Sequence, residues 1–353
     1  MLRKLSLFSC LALLAFASFA QEDSTKKSNW TFTGFVDGYF RSDFNQNLSN
    51  NRTSFTNSNN KLALGMLSAK VDYAFKKFSF TADLGAGKRA EEFAYNDKGV
   101  LSYVKQFYAS YAPTDWLKLS AGTWATHVGY ELVDPYANRN YSMSYMFSYG
   151  PFLHTGVKAD FTFGTTGFMV GVANPTDYRT APTGSKKFTL LQWSQVINED
   201  VKLYLNYVGG QRPSDSAKSK QIDLVVTAKI NDEFGVGFNG TVNSIKLQTN
   251  NNYADASSWS GAAVYLNYDP VEKLGITLRT EMFNDKNQLS ALGSALTGTS
   301  ILANTLSANV KVGKFTIIPE LRHETAGKNI YFAKDGASKN SDLSFLIGAY
   351  FKL

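Results

Sequence analysis

Apolar and polar residues alternate along the last stretch of the chain, residues 341–353. One face of this stretch carries the apolar residues Leu343, Phe345, Ile347, Ala349, Phe351 and Leu353, and the other face is more polar. A sustained period of two predicts an extended strand, because successive side chains of a strand point to opposite faces. A tilted strand of about 10 residues crosses the hydrocarbon core of a bilayer. The pattern therefore predicts a membrane-spanning β-strand.

The same alternation recurs upstream and divides the chain into sixteen candidate strands. They lie near 30–42, 61–75, 78–88, 103–112, 116–126, 153–163, 167–173, 187–196, 201–209, 219–230, 234–243, 258–268, 274–284, 302–312, 314–324 and 341–352. Two of them, 103–112 and 187–196, alternate poorly, so a count of fourteen or eighteen stays open. A soluble β-sandwich is the competing interpretation, but its strands usually run only about 5–6 residues.

The connections between the candidate strands alternate between short and long. Lys76 and Lys77 form a short one, flanked by Phe75 and Phe78, whereas 45–60 is long and rich in Asn and Ser. Tight turns at one end, long loops at the other and aromatic rings at the lipid–water boundary are typical of outer-membrane barrels. The sequence therefore predicts an all-β fold: a transmembrane antiparallel β-barrel of about sixteen strands, with short periplasmic turns and long extracellular loops.

One proline stands within a candidate strand. Pro319 lies in the middle of 314–324. Proline cannot donate to a strand ladder, and a closed barrel has no edge strand on which to place it. We therefore expect a β-bulge at this position.

Residues 1–20 have the order of a secretory signal peptide. Two basic residues, Arg3 and Lys4, precede an apolar run that ends in small residues. We expect cleavage after residue 20, followed by a short periplasmic segment at 21–29 and the barrel at 30–353. This arrangement places the mature chain outside the cytoplasm.

Composition narrows the classes of function. No apolar stretch of about 18 residues follows the N-terminus, which excludes a helical membrane protein. Cys10 is the only cysteine, so a disulfide scaffold is excluded; it lies in the middle of the apolar run, which disfavours the alternative of a lipoprotein. Loss of Arg3 and Lys4 lowers the formal net charge by two, from +7 to +5, and the other basic residues are scattered. We therefore expect no nucleic-acid partner, and no motif predicts a metal or another cofactor.

A closed barrel of about sixteen strands leaves a lumen too wide for its own side chains to fill. Alternation predicts lumen-lining charges of both signs. They are Asp37, Arg41, Lys70, Asp72, Asp83, Lys158, Asp160, Lys202, Asp223, Lys229, Arg279, Glu281, Lys311, Glu320, Arg322 and Glu324. One interpretation is a set of mutually neutralising pairs that wet the wall, such as Arg279 with Glu281. The other is a pair of opposed basic and acidic patches that select solutes.

The stretch 127–152 differs from the other long connections, because it is rich in Tyr, Phe and Met. A solvated loop gains nothing from such residues, so we expect the stretch to pack inside the barrel and narrow the pore, by analogy with the third outer loop of general porins. Packing over the outer rim or at a subunit contact is the alternative. The residues expected at the pore constriction are Glu131, Asp134, Arg139, Tyr141, Tyr145 and His154.

Two segments carry a resemblance to a known family: GYELVDPYANRNYSMSYMFSYGPFLHTGVKAD at 129–160 and GFVDGYF at 34–40. They resemble the β-barrel porin-2 family of outer-membrane proteins, common in Bacteroidetes-type bacteria, over nearly the whole mature chain. The resemblance implies a porin-like channel and leaves its cargo open. The chain ending, with Gly348, Phe351 and Leu353, resembles the signal read by barrel-assembly machinery.

The expected function is passive diffusion of small hydrophilic solutes or ions through a water-filled barrel in the Gram-negative outer membrane. The expected partners are outer-membrane lipid, the barrel-assembly machinery and the solutes themselves. A homo-oligomer stays open, because lipid-facing and subunit-facing apolar strands look alike in sequence.

Two other functions compete with the porin. The first is a surface adhesin or structural barrel with a blocked lumen. The second is an outer-membrane hydrolase, for which His154 with the nearby Ser144 or Ser148 is the candidate pair. The hydrolase is the weaker alternative, because no GxSxG motif occurs. We therefore predict a protein that is not an enzyme.

Overall fold

The computed structural model describes residues 29–353, which form a closed barrel of sixteen antiparallel strands. The strands are β1 (Trp30–Asp43), β2 (Lys61–Phe75), β3 (Phe78–Ala86), β4 (Val104–Thr114), β5 (Leu117–Ala125), β6 (Leu153–Phe163), β7 (Thr166–Ala173), β8 (Phe188–Val196), β9 (Val201–Gln211), β10 (Lys218–Lys229), β11 (Phe234–Lys246), β12 (Ser257–Val271), β13 (Leu274–Asn284), β14 (Ser300–Val312), β15 (Phe315–Ala326) and β16 (Ser341–Lys352). Each strand pairs with its neighbours in sequence, and β16 closes the ring against β1. The predicted barrel and its count of sixteen strands are confirmed. The predicted signal peptide lies outside the described residues.

The two faces of the wall differ as the alternation predicts. Large apolar side chains such as Phe32, Leu64 and Val170 are exposed on the outer face, while polar ones such as Asp37 and Thr305 are buried on the inner face. Backbone groups in a hydrocarbon environment must be paired internally, and closure of the sheet achieves this for every strand. The apolar face therefore points to lipid and the polar face to the lumen.

Aromatic side chains surround the short turns. Phe75, Phe78, Tyr111 and Trp116 are all exposed, and the rings of Phe78 and Tyr111 stack with their centroids 4.8 Å apart. Rings of this kind favour the boundary between lipid and water. The arrangement places the short turns at one membrane surface, as predicted.

Pro319 is accommodated without a bulge, so that prediction is wrong. Ser307 pairs with Glu320 on one side of the proline, and Val310 pairs with Ile317 on the other. The two pairs have the same register. The ladder between β14 and β15 omits the pairs in between, because proline has no N–H to donate. A register shift occurs elsewhere, between Val36 and Gly38 of β1.

The long loops contain the remaining short elements. These are helix α1 (Lys88–Phe93), helix α2 (Tyr145–Tyr149), 3-10 turns at Leu48–Asn50, Gly99–Tyr103 and Pro135–Ala137, and the two-stranded ribbons Gln248–Thr249 with Asn252–Tyr253 and Tyr331–Phe332 with Ser338–Lys339. Within residues 29–353, no helix combines the length and apolar character needed to span a membrane.

Candidate functional site

Residues 127–152, which we call the inner segment, pack against inward-facing side chains of several strands. The Tyr141 hydroxyl donates to the Asp37 carboxylate of β1. The Asn140 side-chain amide donates to Ser307 Oγ of β14 at 2.7 Å. Tyr141 and Tyr145 are fully buried. The aromatic residues of the inner segment are therefore shielded from water by the barrel wall.

Carboxylates of the wall bind the backbone of the inner segment. Glu281 of β13 accepts hydrogen bonds from the backbone N–H groups of Tyr145 and Met146, at 2.8 and 2.9 Å. Glu320 of β15 accepts one from the N–H of Tyr141 at 3.0 Å. Hydrogen bonds to an ionised group are stronger than those between neutral groups. These contacts hold the middle of the inner segment to one side of the barrel.

A buried ion pair joins Arg279 of β13 to Glu131 of the inner segment. Their Nη1 and Oε1 atoms are 2.5 Å apart, and both side chains are almost completely buried. Arg279 also donates to the Ser142 carbonyl at 2.8 Å. The pairing of Arg279 with Glu281 considered from sequence does not form, because each group binds the inner segment instead.

A second arginine anchor lies on β15, two strands from β13. Arg322 of β15 pairs with Glu324, at 2.6 Å between Nε and Oε1, and donates to the Met143 carbonyl at 2.8 Å. The Tyr145 hydroxyl donates to Glu324 Oε2 at 3.1 Å. The two arginine anchors together fix the stretch from Glu131 to Tyr145.

Two basic residues of this network do not appear among the residues picked out from sequence. Lys105 of β4 lies 3.1 Å from Asp83 and 2.6 Å from Asp134. Arg89 of α1 is fully buried, 3.7 Å from Asp37. Alternation does not identify Lys105, because the ladder of β3 and β4 shifts register after Asp83. Arg89 lies in a loop helix, where a period of two carries no information.

The six residues expected at the pore constriction lie in different surroundings. Glu131, Tyr141, Tyr145 and His154 are buried in contacts between the inner segment and the wall. Asp134 pairs with Lys105, and Arg139 pairs with Asp269 of β12. Of the six, Arg139 lines one of the two cavities described below. Their role in limiting permeation stays a prediction.

The histidines form no arrangement with a serine among the described contacts. His154 Nε2 lies 3.2 Å from Thr126 Oγ1, and its ring centroid is 5.2 Å from that of His127. Ser144 instead donates to Glu131, at 2.8 Å. Burial lowers the pKa of His127 to about 4, so its imidazole is neutral at pH 7.

The sixteen predicted lumen-lining charges fall on the same faces of their strands as the buried polar residues. Several pair along the wall at 3.1 to 3.8 Å: Lys70 with Asp72, Lys158 with Asp160, and Arg41 with Asp43. Lys202, Lys229 and Lys311 are exposed at the end of the barrel that carries the tight turns. Their contribution to selectivity stays a prediction.

Residues of the assembly signal have contacts of their own. A Cβ atom on Gly348 would lie 2.2 Å from the Tyr141 ring, so the inner segment occupies the space beside this glycine. The Phe351 ring packs 4.9 Å from that of Phe315, and Leu353 is exposed. Recognition of this ending by assembly machinery stays a prediction.

Two cavities lie along the inner faces of β8 to β11. The outer cavity, of about 390 Å³, is lined by residues that include Gln221, Asn243 and Tyr149. The periplasmic cavity, of about 440 Å³, is lined by residues that include Gln192 and Arg139. Both cavities touch the inner segment on their other side.

A cluster around Asp223 of β10 separates the two cavities. Asp223 accepts hydrogen bonds from the side-chain amides of Asn206 at 2.9 Å and Asn239 at 2.6 Å. It also accepts one from the N–H of Gly129, at 2.9 Å. Gly129 has a φ of +96°, a conformation that favours glycine. The inner segment and the wall therefore meet at this level through hydrogen bonds, and the neighbouring Val128 packs in an apolar cluster with Leu190 and Val208.

Solved barrels of similar fold include several outer-membrane proteins. The in-vitro folded OmpT of Vibrio cholerae aligns with a TM-score of 0.61 at 12% identity, covering 94% of this chain and 100% of that one. The anion-selective porin of Comamonas acidovorans aligns with a TM-score of 0.62 at 9% identity, covering 93% and 100%. The channel DcaP of Acinetobacter baumannii aligns with a TM-score of 0.62 at 13% identity, covering 94% and 99%. At such low identities these likenesses establish the fold alone.

The sequence itself identifies the family. No curated protein matches the chain. The model of the family described as "Putative beta-barrel porin-2, OmpL-like" matches residues 29–353, which is the whole barrel. The chain therefore belongs to the Putative beta-barrel porin-2 family, as the resemblance of its sequence to this family indicates.

Proposed function

We propose that this protein is an outer-membrane porin that lets small hydrophilic solutes diffuse passively along the inner faces of β8 to β11. The observation that carries the proposal is the pair of cavities on this side of a closed barrel, separated by the layer around Asp223 and by the apolar cluster that joins Val128 to Leu190 and Val208. Barrels of about sixteen strands enclose an aqueous channel unless something fills them. The inner segment is anchored to β1 and to β13, β14 and β15, outside the strands that line this route.

The inner segment acts as the constriction in this proposal. It is held by buried ion pairs and by hydrogen bonds to several strands, which favours a fixed obstruction over a mobile one. Diffusion past a fixed constriction needs no energy source and no cofactor. Arg139, a predicted constriction residue that lines the periplasmic cavity, is the charged group best placed to meet a solute at the periplasmic end.

The family and the barrel place the protein in the outer membrane of a Gram-negative bacterium. The proposal adds that residues 1–20 are removed during export, and that assembly machinery reads the ending with Gly348, Phe351 and Leu353. The exposed apolar residues of the outer face supply the surface that lipid covers.

Planar-bilayer recording tests the proposal. Residues 21–353 are refolded in detergent and added to one side of the membrane, and an unfolded sample in the same detergent is the control. We expect stable, ohmic current steps from the refolded protein alone. A correctly folded protein that gives no steps would favour the blocked barrel of an adhesin and overturn the porin.

A further inference from the structure

Charge is distributed unevenly around the inner wall. Strands β1 to β3 and β13 to β16 carry most of the buried inward charges, and these bind the inner segment or each other. The inward faces of β8 to β11, which we call the amide wall, carry only Lys202, Asp223 and Lys229. The two lysines lie at the end of the barrel that carries the tight turns, and Lys229 pairs with Asp232 at 2.6 Å. The route between the cavities is therefore nearly free of unpaired charge.

Carboxamides take the place of charges on the amide wall. The Gln192 amide donates to Asn206 Oδ1 at 2.8 Å, and Asn206 and Asn239 donate to Asp223. This network crosses four adjacent strands at one level. Asp223 is 1% exposed and accepts three hydrogen bonds, so it orients the amides and presents little charge to the route.

The outer cavity continues the same chemistry. The Gln221 amide donates to Thr241 Oγ1 at 2.9 Å, and Ser219 Oγ donates to Asn243 Oδ1 at 2.9 Å. Aromatic rings accompany these groups in both cavities: Tyr149 in the outer one and Tyr204 in the periplasmic one. Each cavity thus combines amides, hydroxyls and rings. The charged residues that also line them are already bound: Arg212 pairs with Asp215, Arg139 pairs with Asp269, and Asp177 accepts three hydrogen bonds.

We infer that the amide wall selects uncharged polyhydroxylated solutes, namely mono- and short oligosaccharides. A carboxamide both donates and accepts, as a sugar hydroxyl does, and its orientation here is fixed by the neighbouring strands. The apolar C–H face of a pyranose packs on an aromatic ring. Fixed charges let a pore favour ions of one sign, and the Asp223 carboxylate of this wall is already bound by three donors. This inference rests on the proposed porin function.

Current recordings with maltotriose on one side of the bilayer test the inference. We expect transient interruptions of the open current by maltotriose and none by gluconate at the same concentration. Gln192→Leu and Gln221→Leu should each weaken the apparent binding of maltotriose about 2- to 10-fold, the range that corresponds to one lost hydrogen bond. Gln195→Leu is the matched control, because Gln195 lies on β8 beside a tight turn and bonds to Thr165 Oγ1 at 3.0 Å, away from both cavities.

The outcomes separate this inference from the porin function. Current steps that neither sugar nor variant affects would overturn the selectivity and leave the porin intact, and equal interruption by gluconate would do the same. Absence of any current step in the wild type would overturn the porin itself. The Leu variants report their own folding, because a variant that inserts and conducts has formed its barrel.

Discussion

At the scale of single residues, the charges inside this barrel act mainly as anchors. Arg279, Glu281 and Glu320 are buried, and each contacts the inner segment. A buried charge is costly unless it is paired, and removing one partner leaves the other uncompensated. These residues therefore contribute to the position of the inner segment more than to contact with a solute.

Glu131→Ala should destabilise the protein strongly, because it leaves Arg279 buried without its carboxylate. We expect the free energy of unfolding to fall by about 3–5 kcal/mol. Urea titration in lipid vesicles measures this quantity. The control is Glu91→Ala, which breaks the exposed pair with Lys88 and should cost less than about 1 kcal/mol. Equal effects of the two substitutions would contradict the anchoring role.

The outer loops contain a carboxyl group that should make stability depend on pH. Asp177 accepts hydrogen bonds from the N–H groups of Phe152 and Leu153, at 2.7 and 2.9 Å, and from the Tyr95 hydroxyl, at 2.9 Å. Burial nevertheless raises the pKa of Asp177 to about 6, from an ordinary 3.8. The folded protein therefore binds more protons than the unfolded chain between these values, so ionisation of Asp177 opposes folding.

Raising the pH through this window should lower the free energy of unfolding of the wild type relative to Asp177→Asn. The relative loss is complete above about pH 6 and absent below about pH 4. Urea titrations of both proteins over this range give the difference directly. A difference that stays constant with pH would show that burial does not shift the pKa of Asp177.

At the scale of elements, the inner segment and the wall are shaped for each other. Gly348 of β16 leaves room for the Tyr141 ring, and Gly237 of β11 leaves room for the Tyr130 ring, which would lie 2.6 Å from a Cβ atom. Alternation predicts the strands on which these glycines lie, and the aromatic content of 127–152 predicts that this stretch is shielded from water. The contacts themselves join residues more than a hundred positions apart, which a local pattern does not encode.

Replacing residues 134–148 by a short Gly-Ser linker should widen the pore. The inner segment would lose its contacts with β14 and β15 and those of Tyr145 and Met146 with Glu281 of β13, and the charges released on the wall would become hydrated. We expect single-channel conductance to rise about two-fold or more, since a barrel of this size is wide without an obstruction. The matched control replaces 180–186 of the next long loop. Unchanged conductance after the first replacement would remove the inner segment from the role of constriction.

At the scale of the whole molecule, the sequence predicts the wall better than the route through it. The period of two predicts most of the sixteen strands clearly and β4 and β8 only weakly, because lipid and water act on alternate residues of the barrel. Alternation does not predict how charge is distributed around the ring of strands. Alternation does not identify Lys105, because the register shifts beside it, and Arg279 pairs with Glu131 of the inner segment. The position of the inner segment in the barrel follows from those long-range contacts.

The chain offers a direct test of where the route lies, because it has no cysteine beyond Cys10. Single substitutions Ser219→Cys and Thr227→Cys place a thiol in the outer and the periplasmic cavity, whereas Ser307→Cys places one on β14, beneath the inner segment. The measurement is the open-channel current before and after a charged methanethiosulfonate reagent. We expect the current to fall at Ser219→Cys and Thr227→Cys and to stay unchanged at Ser307→Cys. A fall at Ser307→Cys alone would place the route on the charged side and contradict the account.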